Sequence, residues 1–402
     1  MSAVSIDEHR ARIRDLVTAL PVVVKPLLDC HGLRLARTIS ARVPVPTFDS
    51  SAMDGFALRR ADLAQVPVTL PVAGEVAAGG TPITPPPAQC VRIMTGAPVP
   101  DGCDTVVPVE LTDAPAGESP LPASVTVRED DQRSHIRPCG EDVAEGDTVL
   151  EAGTLLDSTH LAAAAATGHG TLPVAPRPVV LVVTTGDELV PAGRDLGQAQ
   201  IPDSNSVLVA TTVRELGADV MAICHAGDDP AELDQVMEHC HDAPDLVVTT
   251  GGVSVGSHDV LQSWAASSPL AHLQMGHVAM TPGKPQGWGQ VTIAGRRVPL
   301  VALPGNPVAV HVGLQLFVRA AVDALRGEPD SRRWLTCPAG TDFGTRAGRT
   351  RLLDVELRDG VALPAPGGHG SHRIGTLHRA DGLAVVTEPV KAGDELRVLL
   401  TR

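Results

Sequence analysis

A chain of 402 residues, 43% hydrophobic and 20% charged, is too long for one ordinary domain and has ample material for packed cores, which excludes disorder for most of it. A net charge of -15, with aromatics at 2% and no tyrosine, excludes nucleic acid and anionic membrane as partners, since both demand a basic footprint or stacking faces. The seven cysteines show no C-x-x-C and no paired spacing, as expected for thiols of a reduced cytosol. The first residues hold no apolar signal region, and no apolar run is read as approaching membrane-spanning length, so the expected localisation is cytoplasmic.

Along the chain, Ser5-Ile6-Asp7-Glu8 has the form of a capping box, and Ile6, Ile13, Leu16, Val17 and Leu20 follow at helical spacing, which predicts a helix over 5–20. A second helix is expected over 24–40, ended by Pro44 and Pro46. From residue 44 to 139 the texture changes to short apolar runs at 66–72, 90–94, 105–109 and 124–127, broken by Gly and Pro, which predicts a small β-rich domain. An Ala-rich helix starts at Ser158 and ends at Thr167-Gly168; returning to the N-terminal helices, it would make the β-rich segment an insertion. The expected domains are therefore 1–43 with 140–176 as a helical or linker segment, 44–139 as the β-rich insertion, 177–327 as an α/β domain, and 328–402 as a second small β domain.

Residues 177–327 alternate apolar strands (179–183, 219–223, 245–248, 298–302) with amphipathic helices (204–216, 230–239, 260–266, 307–325), the pattern of a parallel sheet covered on both faces. In such sheets ligands sit outside the carboxyl ends of the strands. Three of the loops there are distinctive: Thr184-Thr185-Gly186-Asp187-Glu188, then Thr250-Gly251-Gly252-Val253-Ser254-Val255-Gly256, then Leu303-Pro304-Gly305-Asn306-Pro307. One glycine-rich turn is merely a tight turn. Three at one sheet edge point to a site, because glycine lets backbone amides approach a phosphate and a helix N-terminus adds favourable partial charge.

Acidic residues crowd the same edge: Asp187, Glu188, Asp203, Asp228 and Asp259. Asp228 and Asp259 each precede a helix and could equally be caps. Carboxylates beside phosphate loops are costly unless a divalent cation lies between them, so a Mg2+ site using Glu188, Asp228 and Asp259 is expected. Lys284, between Gly283 and Pro285, is read as an anion contact, with a solvated turn as the bland alternative. His239 and His241 would point to different faces of a helix and are read as no metal site.

Taken together, FDSSAMDGFA (48–57), RIMTGAPVP (92–100), TTGDEL (184–189), DSN (203–205), GGVSVG (251–256), PGKP (282–285), LPGNPV (303–308) and GSH (370–372) resemble the MoeA family of molybdopterin molybdenumtransferases, which includes the C-terminal domain of gephyrin. The resemblance implies an α/β multidomain protein: a central parallel-sheet molybdopterin-binding domain, a helical N-terminal segment, a β-rich inserted domain and a C-terminal β-barrel. It implies a homodimer that takes adenylylated molybdopterin and molybdate, inserts the metal and releases AMP. Carried onto this sequence, it makes Asp54, Thr95, Glu188, Asp228 and Asp259 the catalytic residues, with Asp142 less firmly matched. It gives substrate contacts to Gly186, Asp187, Ser204, Gly251, Gly252, Ser254, Gly256, Lys284, Pro304, Gly305, Asn306 and Ser371.

The sequence departs from the family pattern at four positions. His277 stands where lysine is common, Thr281 where lysine or glutamine is common, Asp354 near an expected arginine, and Phe56 at a usual tyrosine. Three of these remove cationic help for an oxyanion. Competing readings are a non-catalytic molybdopterin-binding or scaffold protein and a molybdopterin adenylyltransferase. The SAMDG segment and the two β domains weigh against the latter.

Overall fold

Ser5 Oγ accepts the Glu8 amide at 3.1 Å while the Glu8 carboxylate accepts the Ser5 amide at 2.7 Å, so the capping box opens a helix, Ile6–Leu16. The computed structural model of the chain describes residues 3–117, 119–253, 259–346, 348–366, 370 and 373–402. The chain divides into two units, Val24–Val174 and Met1–Val23 with Ala175–Arg402. The first helix thus belongs with the α/β part rather than with a separate N-terminal helical segment. Its buried face explains this: Ile13 joins the α/β core, and Arg10 donates to the Leu316 carbonyl at 3.0 Å.

No helix forms over 24–40. Val23–Pro26, Arg34–Leu35 and Ile39–Ser40 are strands, joined by a 3-10 turn at Leu27–Cys30. Prolines at 21 and 26 bracket a run of three valines, and Gly32 sits at φ 73, so the segment has no uninterrupted stretch for a helix. The Ala-rich helix runs Ser158–Ala166, starting where expected with Asp157 as its cap, and Gly168 follows it at φ 87.

The β-rich part of the Val24–Val174 unit is a five-stranded sheet in the order Thr105–Pro108, Gly55–Leu58, Cys90–Ile93, Val68–Val76, Ser124–Val127. Both faces are covered, one around Phe56 and Leu70, the other around Ala57 and Val106. Gly55 has no room for a side chain, because a Cβ there would run into the Val107 carbonyl.

In the other unit a six-stranded sheet has the order Asp219–Ala226, Val179–Thr185, Leu246–Thr250, Arg296–Leu303, Pro285–Ile293, Ala271–His277. The first four strands are parallel and wind through the helices Ser204–Glu215, Pro230–Glu238 and Val260–Ser267. The last two are antiparallel, so the sheet is mixed rather than parallel throughout. The reason is local. Only Ala294 and Gly295 separate Ile293 from Arg296, both at positive φ, which makes a tight hairpin; a parallel crossover needs about a dozen residues.

Pro307–Leu325 continues from the last parallel strand as a helix with a π-helical turn at Leu314–Val318. Its 19 residues are long and apolar enough to cross a membrane by length and composition, contrary to the expectation that no run comes close. The segment is a core element, however, with 89% of its most apolar window buried. The C-terminal strands pair in the order Met280–Thr281, Thr350–Arg358, Gly382–Val386, Glu395–Leu400, Arg333–Pro338, with Val361–Pro364 added beside Thr350–Arg358.

Candidate functional site

The strand Val179–Thr185 ends in Gly186, which lies at φ 134, and there a Cβ would strike the Glu188 carboxylate. Leu246–Thr250 runs into Gly251 at φ 93 and Gly252 at φ 64. A Cβ on Gly251 would lie 2.5 Å from Thr185 Oγ1, and one on Gly252 would lie 2.8 Å from Val260 Cγ1. Arg296–Leu303 runs into Pro304-Gly305-Asn306, and a Cβ on Gly305 would come within 3.4 Å of Gly251 Cα. The three turns therefore abut one another, and at Gly186, Gly251 and Gly252 the positive φ and the close neighbours together leave no room for a side chain.

They open on a cavity of 640 Å3. Gly186, Gly251, Gly252, Pro304, Gly305 and Asn306 line it, and so do Ser204 and the three carboxylates Glu188, Asp228 and Asp259. Asp187 does not line it; its Oδ1 accepts the Asp228 amide at 3.2 Å and holds that loop. Lys284 is outside the lining as well, although its neighbour Pro285 contributes. Ser254, Gly256 and Ser371 lie outside the described residues.

The choice between cap and function divides the acidic residues. Asp203 caps Ser204–Glu215, accepting the Ser206 amide at 2.9 Å, and its other oxygen accepts the Thr184 hydroxyl at 2.9 Å. Asp229 caps Pro230–Glu238, leaving its neighbour Asp228 exposed and turned to the cavity. Asp259 occupies the cap position of Val260–Ser267 yet makes no side-chain hydrogen bond to that helix, and it is 6% exposed. Glu188 and Asp228 thus share the cavity without capping a helix, and Asp259 lines it from the cap position. Among the described residues no three acidic, histidine or cysteine side chains close into a metal cage, so these carboxylates are not a preassembled three-ligand set.

The anion cradle also differs from its expected form. The Gly186 amide donates to the Ala226 carbonyl and the Gly251 amide to the Leu303 carbonyl, both at 3.1 Å. Asn306 Oδ1 accepts the Val308 and Ala309 amides at 3.2 and 3.4 Å, occupying the donors at the start of the following helix. Gly186 and Gly251 consequently act through backbone shape, not as free donors. The Ser204 hydroxyl and the Gly252 amide have no partner among the described residues and remain available to a ligand oxygen. Asn205, passed over in the sequence, lines the cavity and ties Gly305 in place through a 2.7 Å bond from Nδ2 to the Gly305 carbonyl. Its signal was present: an amide side chain in the first turn of a helix whose capping Asp is already engaged.

In the Val24–Val174 unit, Asp54 Oδ1 accepts both the amide and the hydroxyl of Thr95, each at 2.7 Å. These donors, the amide foremost, hold the Asp54 carboxyl below the usual range. Asp54 borders a cavity of 410 Å3 together with Phe56 and Arg92. Asp142 is exposed, and its amide is tied to the Val45 carbonyl at 2.9 Å. His277 is half-buried, and burial first, then the nearby cations Lys284 and Arg349, push its imidazole down.

Two family models match the chain, one described as the MoeA N-terminal region (domain I and II) over residues 4–168, the other as a probable molybdopterin binding domain over residues 181–324. A Mycobacterium tuberculosis protein named molybdopterin molybdenumtransferase 2 is 38% identical over 412 residues, covering 98% of each chain. A Synechococcus elongatus protein named molybdopterin molybdenumtransferase is 36% identical, covering 79% of this chain and 80% of its own. The crystal structure of a molybdopterin biosynthesis MoeA protein from Pyrococcus horikoshii superposes over 100% of both chains with a TM-score of 0.82 at 25% identity. On this similarity, which runs nearly end to end, the chain belongs to the MoeA family of molybdopterin molybdenumtransferases.

Proposed function

We propose that this chain inserts molybdenum into adenylylated molybdopterin and releases AMP, with molybdate as the second substrate. The observation that carries the reading is the shared cavity: three strand-to-helix loops of the molybdopterin-binding segment meet there, and Glu188, Asp228 and Asp259 line it.

On this reading, Pro304, Gly305 and the 251–256 loop seat the phosphate of the substrate and the near end of its pterin. The Ser204 hydroxyl and the Gly252 amide supply donors that the committed amides of Gly186 and Gly251 cannot. Gly251 and Gly305 let substrate and backbone approach at a spot where any side chain would intrude.

The donor set suits Mg2+, which takes one or two carboxylates and completes its shell with water and substrate phosphate oxygens. Glu188 and Asp228, both exposed at the cavity, would hold the ion, with the buried Asp259 nearby. Bound there, Mg2+ would neutralise the anhydride from which AMP departs. Asp54, kept ionised by Thr95, offers an acceptor for a proton at its free oxygen.

We further read the chain as a homodimer in which Asp54 and Thr95 complete the cleft of the other copy, with Ser371 bordering the molybdate. The four-domain division belongs to the same reading, with residues 1–23 joined to the α/β part. A parallel bridge between Ala339 and Ala362 supports a C-terminal barrel, because it links the ends of strands that the ladders leave apart.

The test is AMP release from adenylylated molybdopterin by the purified full-length protein with Mg2+ and molybdate. Release that depends on molybdate is expected. Absence of AMP at every molybdate concentration would overturn the reading, and adenylylation of molybdopterin by ATP would replace it with the earlier reaction.

A further inference from the structure

A second cavity, of 310 Å3, adjoins the first along the chain: Pro307 lines one and Val308 the other, and Pro285 and Pro282 divide in the same way. Its walls include Thr281, Thr345, Arg346, Arg351 and Asp354. Asp354 is the one acid among its described lining residues, carried on the strand Thr350–Arg358. Asp354 Oδ1 is buried and accepts no hydrogen bond among the described residues. Across the sheet it faces Leu383, and the Ala365 amide donates to its backbone carbonyl rather than to its carboxylate.

Burial alone pushes this carboxyl up to about 6; neither Arg346 nor Arg351 contributes. Arg351 instead donates to the Gly344 carbonyl. The remaining described residues of the lining (Thr281, Pro282, Val308, Thr345, Leu352, Leu353) carry no charge. At neutral pH the group is therefore mostly a carboxylate, held in a pocket with no protein donor on its buried oxygen. Such an acceptor costs free energy unless something entering the cavity donates to it.

We propose that this cavity seats the 2-amino-4-oxo edge of a pterin ring, whose adjacent N–H groups donate to the Asp354 carboxylate. The inference rests on the molybdopterin reading of the larger cavity and specifies how the ring of that substrate is recognised. A tetrahedral oxyanion would bring only acceptors toward an ionised acid. An aminopyrimidinone edge offers two parallel donors spaced to match a carboxylate, and Pro282 and Val308 provide apolar walls for the ring. Pro307 of the first cavity and Val308 of the second are consecutive in one helix, so the proposal has one molecule reach from the phosphate seat of the first to Asp354 in the second.

The experiment is a fluorescence titration of the full-length protein with pterin and with lumazine, which has an oxo group in place of the 2-amino donor. Wild type is expected to prefer pterin by roughly 10- to 100-fold, the worth of one hydrogen bond to a charged group. Pterin affinity should rise as the pH increases through 6, because the acceptor is the ionised form. Asp354→Asn and Asp354→Leu should each abolish the preference while melting at or above the wild-type temperature, since both remove an unpartnered buried acid.

Equal affinity for the two rings, or a preference that survives in both variants, overturns the proposal. Molybdate binding that strengthens below pH 6, with no preference between the rings, also overturns it and assigns the cavity to an oxyanion. Molybdate-dependent AMP release without ring discrimination sinks this inference alone. Ring discrimination that depends on Asp354 without any AMP release sinks the transferase reading alone.

Discussion

Gly305 and Gly251 come from different loops and approach so closely that a methyl group on Gly305 would lie 3.4 Å from Gly251 Cα. Their tolerances differ. Gly305 has an unstrained backbone and only that one contact, so Gly305→Ala is expected to fold with stability within about 0.5 kcal/mol of wild type and to lose activity by narrowing the cavity. Gly251 sits at φ 93, and an added Cβ would meet Thr185 Oγ1 at 2.5 Å and the Thr185 carbonyl oxygen at 2.7 Å. Gly251→Ala should cost about 1–3 kcal/mol through strain. Thermal melts beside AMP-release assays separate the two cases; equal melting temperatures for both variants would show the strain argument to be wrong.

Asp228 and Asp229 are adjacent and perform different tasks. Asp229→Ala removes a helix cap and should cost about 1 kcal/mol with turnover preserved in the folded protein. Asp228→Asn removes no cap and should leave the melting temperature unchanged. Its Mg2+ affinity should fall by at least the roughly 10- to 100-fold that loss of an outer-sphere partner costs. Mg2+ dependence of AMP release, measured on both variants, decides the matter.

The Thr95 hydroxyl is one of two donors that keep Asp54 ionised. Thr95→Val should raise the Asp54 pKa, and Thr95→Ser should leave it low, as read by carbon NMR of the carboxyl. A depressed carboxyl favours the folded state above its unfolded pKa, and that contribution fades as the pH falls through the folded value. The valine variant should therefore lose less stability on acidification. An unmoved Asp54 titration would mean that the amide alone sets the shift.

His9 is fully buried, with neither ring nitrogen hydrogen-bonded, edge-on to Trp288 at 5.0 Å and Phe317 at 4.6 Å. Burial, then Arg12, pushes its imidazole down to about 4. An unfolded chain takes up a proton near pH 6.5 that the folded chain refuses until about pH 4, so stability must fall between those limits as the solution is acidified. His9→Phe should remove that slope and gain up to about 2 kcal/mol at pH 5. Denaturant unfolding at pH 5 and pH 7 measures it, and an unchanged slope would locate the acid sensitivity elsewhere.

The parts of the fold that could be read in the sequence carry explicit punctuation. Ser5 with Glu8, Asp203, Asp229 with Pro230 and Asn306 with Pro307 each mark a helix start, and the helices begin where those residues stand. Over 24–40, valine and leucine at mixed spacing fit a helical stripe, but Pro26 and Gly32 break it, and short strands form instead. The hairpin at Ala294-Gly295 was hidden because apolar strands look alike whichever way they run; only the two-residue connection revealed its direction. At the site, the meeting of the three loops was legible from their glycines. That several of their amides are already engaged was not, since a hydrogen-bond acceptor from another strand leaves no mark on local sequence. Asp354 stands out in the sequence as a departure from the family pattern, but the missing partner of its Oδ1 is a property of the packed sheet.

The helix Pro307–Leu325 has a consequence for how this protein is made. A chain leaves the ribosome from its amino end, so a segment greasy enough to be mistaken for a bilayer anchor is exposed late in synthesis. By then Ile6–Leu16, whose Ile13 and Arg10 pack on that same segment, has long been waiting outside the exit tunnel. The order of the genes' reading thus supplies the cover before the surface that needs it, and a circular permutant moving 1–23 to the carboxyl end would reverse that order and leave the segment open to targeting factors and aggregation.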